Sequence, residues 1–219
     1  LSALLSSIGP VVHKLSAKTL MDLDVLSSCH IHILQLLDSI EFETFHHENA
    51  FLVSDPNHLD WLSEFARLKA KEGNTLVLIN RIETGKELIA RIPEATFVHG
   101  TVNSNDRKET YDSISDVNNK IVIASFGVAA VGINIPRIFN LILVEAGKSH
   151  IRVIQSIGRG IRRAKDKDFV DVYDISSNCK FSSKHMKERI KTYKRIDYPH
   201  SVTKIDYLKQ LSENKVGEK

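Results

Sequence analysis

The residues best placed to do chemistry lie between Ser149 and Arg163, in the run Ser-His-Ile-Arg-Val-Ile-Gln-Ser-Ile-Gly-Arg-Gly-Ile-Arg-Arg. Gln155, Gly158, Arg159 and Arg162 recur at i, i+3, i+4 and i+7, which is the spacing of one helix face. Val153, Ile154, Ile157 and Ile161 fall roughly opposite and would anchor such a helix to a core. The face offers two guanidiniums beside a glycine gap, an arrangement suited to close approach of an anion. Arginine suits phosphate in particular, because its planar fork binds two oxygens at once and keeps its charge at any working pH. Two arginines alone would describe a solvated basic helix end. The fixed pattern Gln-x-x-Gly-Arg-x-x-Arg is far more specific than a charge run.

The elements that must hold this helix show a regular alternation. Asp55 is a good N-cap and Pro56 fits the first helical position. Leu59, Leu62, Phe65 and Ala66 follow at helical spacing, and Gly73-Asn74 ends the run. Thr75 to Ile79 is a continuous apolar stretch, as expected for a strand buried on both faces of a parallel sheet. Glu83–Arg91 is then helical, 96–98 a short strand, 105–114 a helix, and 120–124 and 139–144 strands. A helix over 150–157 and a strand over 169–175 complete the series. Such alternation predicts an α/β fold with a parallel sheet flanked by helices. Ligands of open parallel sheets bind beyond the carboxyl ends of the strands. The residues to inspect there are Asn80 and Arg81, His99 and Gly100, Ser125 and Gly127, and Glu145 to Ser149.

The remainder of the chain reads less clearly. Within residues 1–50, segments 9–15 and 30–37 suggest short strands around a Ser/Asp-rich helix, and 41–49 a strand end followed by a linker. His46 and His47 are neighbours, which do not share a helix or strand face, so they read as solvated rather than as metal ligands. After Ser176 the chain turns lysine-rich: a helix is expected over 184–196 and a second, short one near 202–211. Charge is unevenly distributed. Residues 1–66 hold two lysines against nine acidic side chains, whereas 148–195 hold fourteen basic against five acidic ones. Basic density of the second kind attracts phosphate polymers by counterion release. A solvated helix explains Lys184 to Lys194 equally well, but not the arginines set in the apolar pattern before it.

No apolar run approaches the roughly 20 residues of a membrane-spanning helix, and the opening residues lack the basic leader of a signal peptide. Cys29 and Cys179 are too few for a disulfide framework and lack zinc-ligand spacing, so a reduced, cytoplasmic protein without a metal site of its own is expected.

Taken in order, Thr75–Arg81, Phe97–Thr101, Ala124–Pro136 and Gln155–Arg162 resemble motifs IV, IVa, V and VI of superfamily 2 helicases, and Leu5 to Leu20 resembles the segment leaving the first lobe in that family. The resemblance implies a RecA-like second helicase lobe over residues 51–175. Residues 1–50 would then be the tail of the first lobe and a linker, and 176–219 a basic helical extension. It also implies that Arg159 and Arg162 reach the γ-phosphate of ATP, held with Mg2+ by the first lobe, with Arg162 as the finger. Gln155, Gly132 and Asn134 would couple the nucleotide to the lobe interface. Asn80, Arg81, His99, Gly100, Ser125 and Gly127 would hold the nucleic-acid backbone. Members in recombination and repair further imply branched or forked DNA and RNA–DNA hybrids as partners, with fork regression, branch migration and R-loop unwinding as activities.

One departure concerns motif V, which often reads Gly-x-Asp-x-Pro. Here Asn134 replaces the acid, keeping a hydrogen-bonding side chain but losing the carboxylate. No Gly-x-x-x-x-Gly-Lys-Ser/Thr and no Asp-Glu-x-His-type motif occurs, and Gly85-Lys86 lies inside a helix without the preceding glycine. The expectation is a helicase portion that begins within or just after its first lobe and hydrolyses ATP negligibly by itself. Two other readings fit the same charge pattern: a stand-alone nucleic-acid-binding module, and a duplex translocase subunit that moves without separating strands.

Overall fold

A strand with aliphatic residues on both faces needs a covering layer on each side, and the central strands of this protein's sheet meet that demand. The computed structural model describes residues 28–100, 118–130, 138–144 and 169–217. Within them, β1 (Ser28–Leu36), β2 (Thr75–Ile79), β3 (Thr96–Val98), β4 (Ile121–Ser125), β5 (Asn140–Leu143), β6 (Phe169–Ser177) and β7 (His200–Ile205) form one sheet. Its order is β3-β4-β2-β5-β6-β1-β7, and every pairing is parallel. The described helices are α1 (Phe45–Ser54), α2 (Pro56–Ala70), α3 (Ile82–Arg91), α4 (Phe126–Ala130), α5 (Lys180–Arg195) and α6 (Tyr207–Gly217). None of them is long and apolar enough to cross a membrane.

Side chains alternate between two core layers. Ile31, Ile33, Leu76 and Leu78 pack toward Met186 and Tyr193 of α5 and toward Val128 of α4. On the opposite face, Val77, Ile79, Ile142 and Tyr173 meet Leu59 and Leu62 of α2, Leu88 of α3 and Leu211 of α6. β2 is buried at all five positions, as its unbroken apolar run requires. Asp55 caps α2, its Oδ1 accepting the His58 N–H at 3.0 Å, and Pro56 occupies the first turn.

Three segments differ from the sequence expectation. The stretch 41–49, read as a strand end and linker, enters α1, with Thr44 Oγ1 accepting the His47 N–H at 3.3 Å. His46 and His47 are exposed on it. The helix expected near 202–211 divides in two. His200–Ile205 pairs with β1 from Ile31↔His200 to Leu36↔Ile205, and α6 begins only at Tyr207. The tertiary pairing explains this, since an edge strand with no buried position carries no strong apolar alternation of its own. The divisions expected at 50/51 and 175/176 also fall within one sheet, because β1 lies between β6 and β7 and pairs with β6 over nine residues. The helices expected over 105–114 and 150–157 lie outside the described residues.

Gly85 shows how closely α3 approaches the sheet. A Cβ there would lie 2.4 Å from the Phe97 ring and 2.6 Å from Ile79 Cδ1. Gly85→Ala is therefore expected to destabilise the protein by about 1–3 kcal/mol through overpacking, read as a lower urea midpoint. An unchanged midpoint would show that the contact relaxes freely.

Candidate functional site

Because all the strands are parallel, their carboxyl ends share one rim. Pairing of Val98 with Ala124, Ile79 with Ser125, and Leu78 with Leu143 fixes the register there. His99, Ser125, Ile79 and Val144 are consequently level across four adjacent strands, which span roughly 14 Å at ordinary strand spacing. Asn80 and Arg81 follow β2 and are exposed. Arg81 is the N-cap residue of α3 and its own side chain makes no capping bond, so an exposed guanidinium stands at the start of that helix on the rim. His99 is half-buried with its ring 4.8 Å from that of Phe97, and Gly100 is exposed. Ser125 Oγ accepts the Val128 N–H at 3.4 Å, which caps α4 and leaves the hydroxyl proton for another acceptor. A Cβ at Gly100 or Gly127 would meet nothing within 4 Å, so internal packing requires glycine at neither.

The structure thus gathers Asn80, Arg81, His99, Gly100, Ser125 and Gly127 on one rim. Gly132, Asn134, Gln155, Arg159 and Arg162 lie outside the described residues. Among the described residues, no group of three or more His, Cys, Asp or Glu could hold a metal ion.

A second feature of this rim has little sequence signature. α1 and the first turns of α5 roof a cavity of about 240 Å3, with Asn80 and Arg81 on one wall. Glu48, on α1 and 1% exposed, ties the two helices together. Its carboxylate accepts the N–H groups of Phe181 at 2.9 Å and Ser182 at 2.5 Å, satisfying first-turn donors that the N-cap residue Cys179 leaves without a side-chain bond. Thr44 ahead of Phe45 and Leu52 at i, i+7 is the only sequence signal for this helix, and it is weak.

Just past the carboxyl end of β1, Asp38 joins four elements. Its Oδ1 accepts from His58 Nε2 and from the Tyr207 hydroxyl, each at 2.8 Å, and its Oδ2 accepts the Ser177 hydroxyl at 2.5 Å. Burial alone would raise this carboxyl's pKa, but the bonds from His58, Ser177 and Tyr207 outweigh it and hold the group below the ordinary carboxylate range. Burial, and then the same carboxylate, push the Tyr207 phenol up. Neither thiol is activated. Burial, helped by Asp171, raises Cys29 to about 12, and burial also raises Cys179.

Residues 57–164 match the family model described as the helicase conserved C-terminal domain. The ATP-dependent DNA helicase uvsW of Enterobacteria phage T4 is 24% identical over 170 residues, covering 74% of this chain and 34% of that protein. A putative helicase of a Sulfolobus islandicus filamentous virus is 30% identical over 106 residues, covering 47% of this chain and 19% of the relative. The chain therefore spans about a third or less of the length of these curated relatives. In three dimensions, the crystal structure of T4 UvsW superposes with a TM-score of 0.71 at 19% identity, over 81% of this chain and 41% of that one. The seven-stranded parallel sheet with helices on both faces is thereby a RecA-like α/β fold.

The Asp38 cluster gives a measurable pH dependence. Asp38→Asn removes a charged acceptor from three donors and is expected to cost about 1.5–3 kcal/mol near neutrality. Because the folded pKa lies below the unfolded value of about 3.9, this stabilisation is complete above that value and is lost as pH falls through the folded one. Urea unfolding should show the gap between the two proteins narrowing from about pH 5 to about pH 3. A constant gap over that range would mean that the charge contributes nothing.

Proposed function

We propose, on the premise that the chain belongs to the superfamily 2 helicases through its helicase conserved C-terminal domain, that it works as the second RecA-like lobe of an ATP-dependent DNA motor. The observation that carries this reading is the rim. Three adjacent strands within the matched span present Asn80 and Arg81, His99 and Gly100, and Ser125 and Gly127 at or just past their carboxyl ends. The exposed Arg81 at the start of α3 suits phosphate, as do glycines whose backbone is open to approach. These residues would grip the sugar-phosphate backbone of the strand along which the motor moves.

ATP and Mg2+ would be held mainly by a first lobe. Arg159 and Arg162 are the groups of this chain that would meet the triphosphate, with Gln155, Gly132 and Asn134 coupling that contact to the grip on nucleic acid. Two guanidiniums there would offset the charge that develops on the transferred phosphoryl group. By itself the chain would turn over ATP negligibly. Likeness to the T4 DNA helicase supports DNA as the substrate; branched or forked DNA and RNA–DNA hybrids, with fork regression, branch migration and R-loop unwinding as the outcome, are what the motif resemblance implies.

The outer face of α5 fits the same partner. Lys180, Lys184, Lys187, Lys191 and Lys194 stand at i, i+4, i+7, i+11 and i+14, and all are exposed. The stripe runs about 21 Å along the helix, and Glu188 is the sole acidic residue of α5. Such a face would follow a phosphate backbone and contribute salt-dependent affinity.

In a protein containing both lobes, Arg162→Ala is expected to lower nucleic-acid-stimulated ATP turnover by about 10³–10⁵, roughly 4–7 kcal/mol of barrier, with DNA affinity largely spared. Unchanged turnover would remove Arg162 from the nucleotide site. Arg81→Ala should instead weaken DNA binding and reduce the slope of log affinity against log salt by about 1; an unaltered slope would remove Arg81 from the phosphate grip. Strand displacement on forked but not on intact duplex separates this motor from a translocase that leaves strands paired.

A further inference from the structure

We infer that the cavity between α1 and α5 receives one unstacked base of a single-stranded nucleic acid, with Phe45 as its stacking platform. This rests on the proposed reading of the rim, whose Asn80 and Arg81 form one wall of the cavity. At about 240 Å3 it is smaller than drug-sized sites, which run from about 300 Å3 upward, and its scale suits one planar heterocycle. Leu36, Leu52, Val144 and Ile175 give it an apolar lining into which a base can move out of water. Asn49 on α1 adds an amide with both donor and acceptor groups, as the edge of a base requires.

The mouth carries the features by which proteins hold single strands, aromatic faces interleaved with cations. Phe45 is 42% exposed, and among the described residues whose burial is given it is the only exposed Phe, Tyr or Trp. Its ring is fixed by its neighbours, with Phe181 edge-on at 6.1 Å and His185 at 5.4 Å between ring centroids. Arg81 stands on the wall formed by the β2–α3 connection, and Lys180 Nζ lies 5.4 Å from the centroid of the Phe181 ring. The two cations would take the phosphates flanking the inserted base. The negative charge within the cavity does not oppose this, since the Glu48 carboxylate is engaged by the first-turn amides of α5. A duplex keeps its bases in the stack and out of reach, so the pocket selects single strands.

The test uses the whole chain and two probes at one salt concentration: an oligothymidylate of about twelve nucleotides and an abasic oligomer of equal length. Wild-type protein should bind the first roughly 5- to 150-fold more tightly, the fold-change of a base–aromatic stack worth 1–3 kcal/mol. Phe45→Ala and Phe45→Leu should abolish that preference while leaving affinity for the abasic strand within about 2-fold, and Phe45→Tyr should keep it. Thermal melting of each variant checks that the fold persists. Equal loss on both probes, or no loss on either, overturns the stacking pocket. If Arg81→Ala weakens both probes and the Phe45 variants weaken neither, the phosphate grip stands and the pocket falls. If the wild-type chain binds neither strand, both fall together.

Discussion

A carboxylate with no access to water sets the geometry on which the rest of this structure depends. Asp174 on β6 is wholly buried, and it meets Arg189 of α5 through two bonds, from Nε at 2.8 Å and Nη2 at 2.9 Å. The Tyr193 hydroxyl donates to the same carboxylate at 2.9 Å. Burial works against charge on Arg189, but the Asp174 charge and hydrogen bonds outweigh it and raise the guanidinium's pKa. Such a pair adds little net stability over an apolar contact of equal shape. Any register that separates its members strands a charge in the core, at several kcal/mol. α5 can therefore lie on β6 in one position. That position brings Ser182 and His185 to the carboxyl rim and Met186 and Tyr193 into the core.

Placement of α5 in turn fixes α1. The Glu48 carboxylate bridges to the first-turn amides of α5, so a helix formed between β1 and α2 closes over the rim. Asp38 performs a similar service beyond the end of β1, where His58 of α2, Ser177 at the end of β6 and Tyr207 of α6 converge on one carboxylate. Both ties join residues far apart in sequence, and both lie at the carboxyl ends of the strands. The rim is thus held by charged hydrogen bonds among helices, while apolar packing holds the sheet below it. Polar anchoring of this kind would suit the proposed role of the rim, which needs phosphate-binding groups at fixed heights.

Much of the fold was legible in the chain. Thr75 to Ile79 could only be a strand covered on both faces, and Asp55-Pro56 marked the start of α2 to the residue. Parallel order followed from the alternation, and the rim residues followed from parallel order. What escaped was set by distant partners. The segment 200–205 has no alternation to mark it as a strand, and it becomes one by pairing with β1. Glu48 looks like a solvated acid in a polar stretch until the N-terminus of α5 arrives beside it. β1 looked separable from the sheet because the chain travels from Leu36 to Phe169 before supplying the strand that lies against it.

By itself, the sequence determined the layered α/β plan, the strands whose ends form the rim, and the family to which the Gln155–Arg162 pattern points. Local physics suffices for these, since burial periodicity, capping and residue chemistry act within a few turns of chain. Only the tertiary structure decided that α1 and α5 enclose a cavity beside Arg81, that Phe45 stands exposed at its mouth, and that the outer segments belong to one sheet. Those outcomes depend on pairings between residues more than a hundred positions apart, such as Glu48 with Phe181 and Asp38 with Tyr207. No pattern within either partner's own segment encodes where the other will lie.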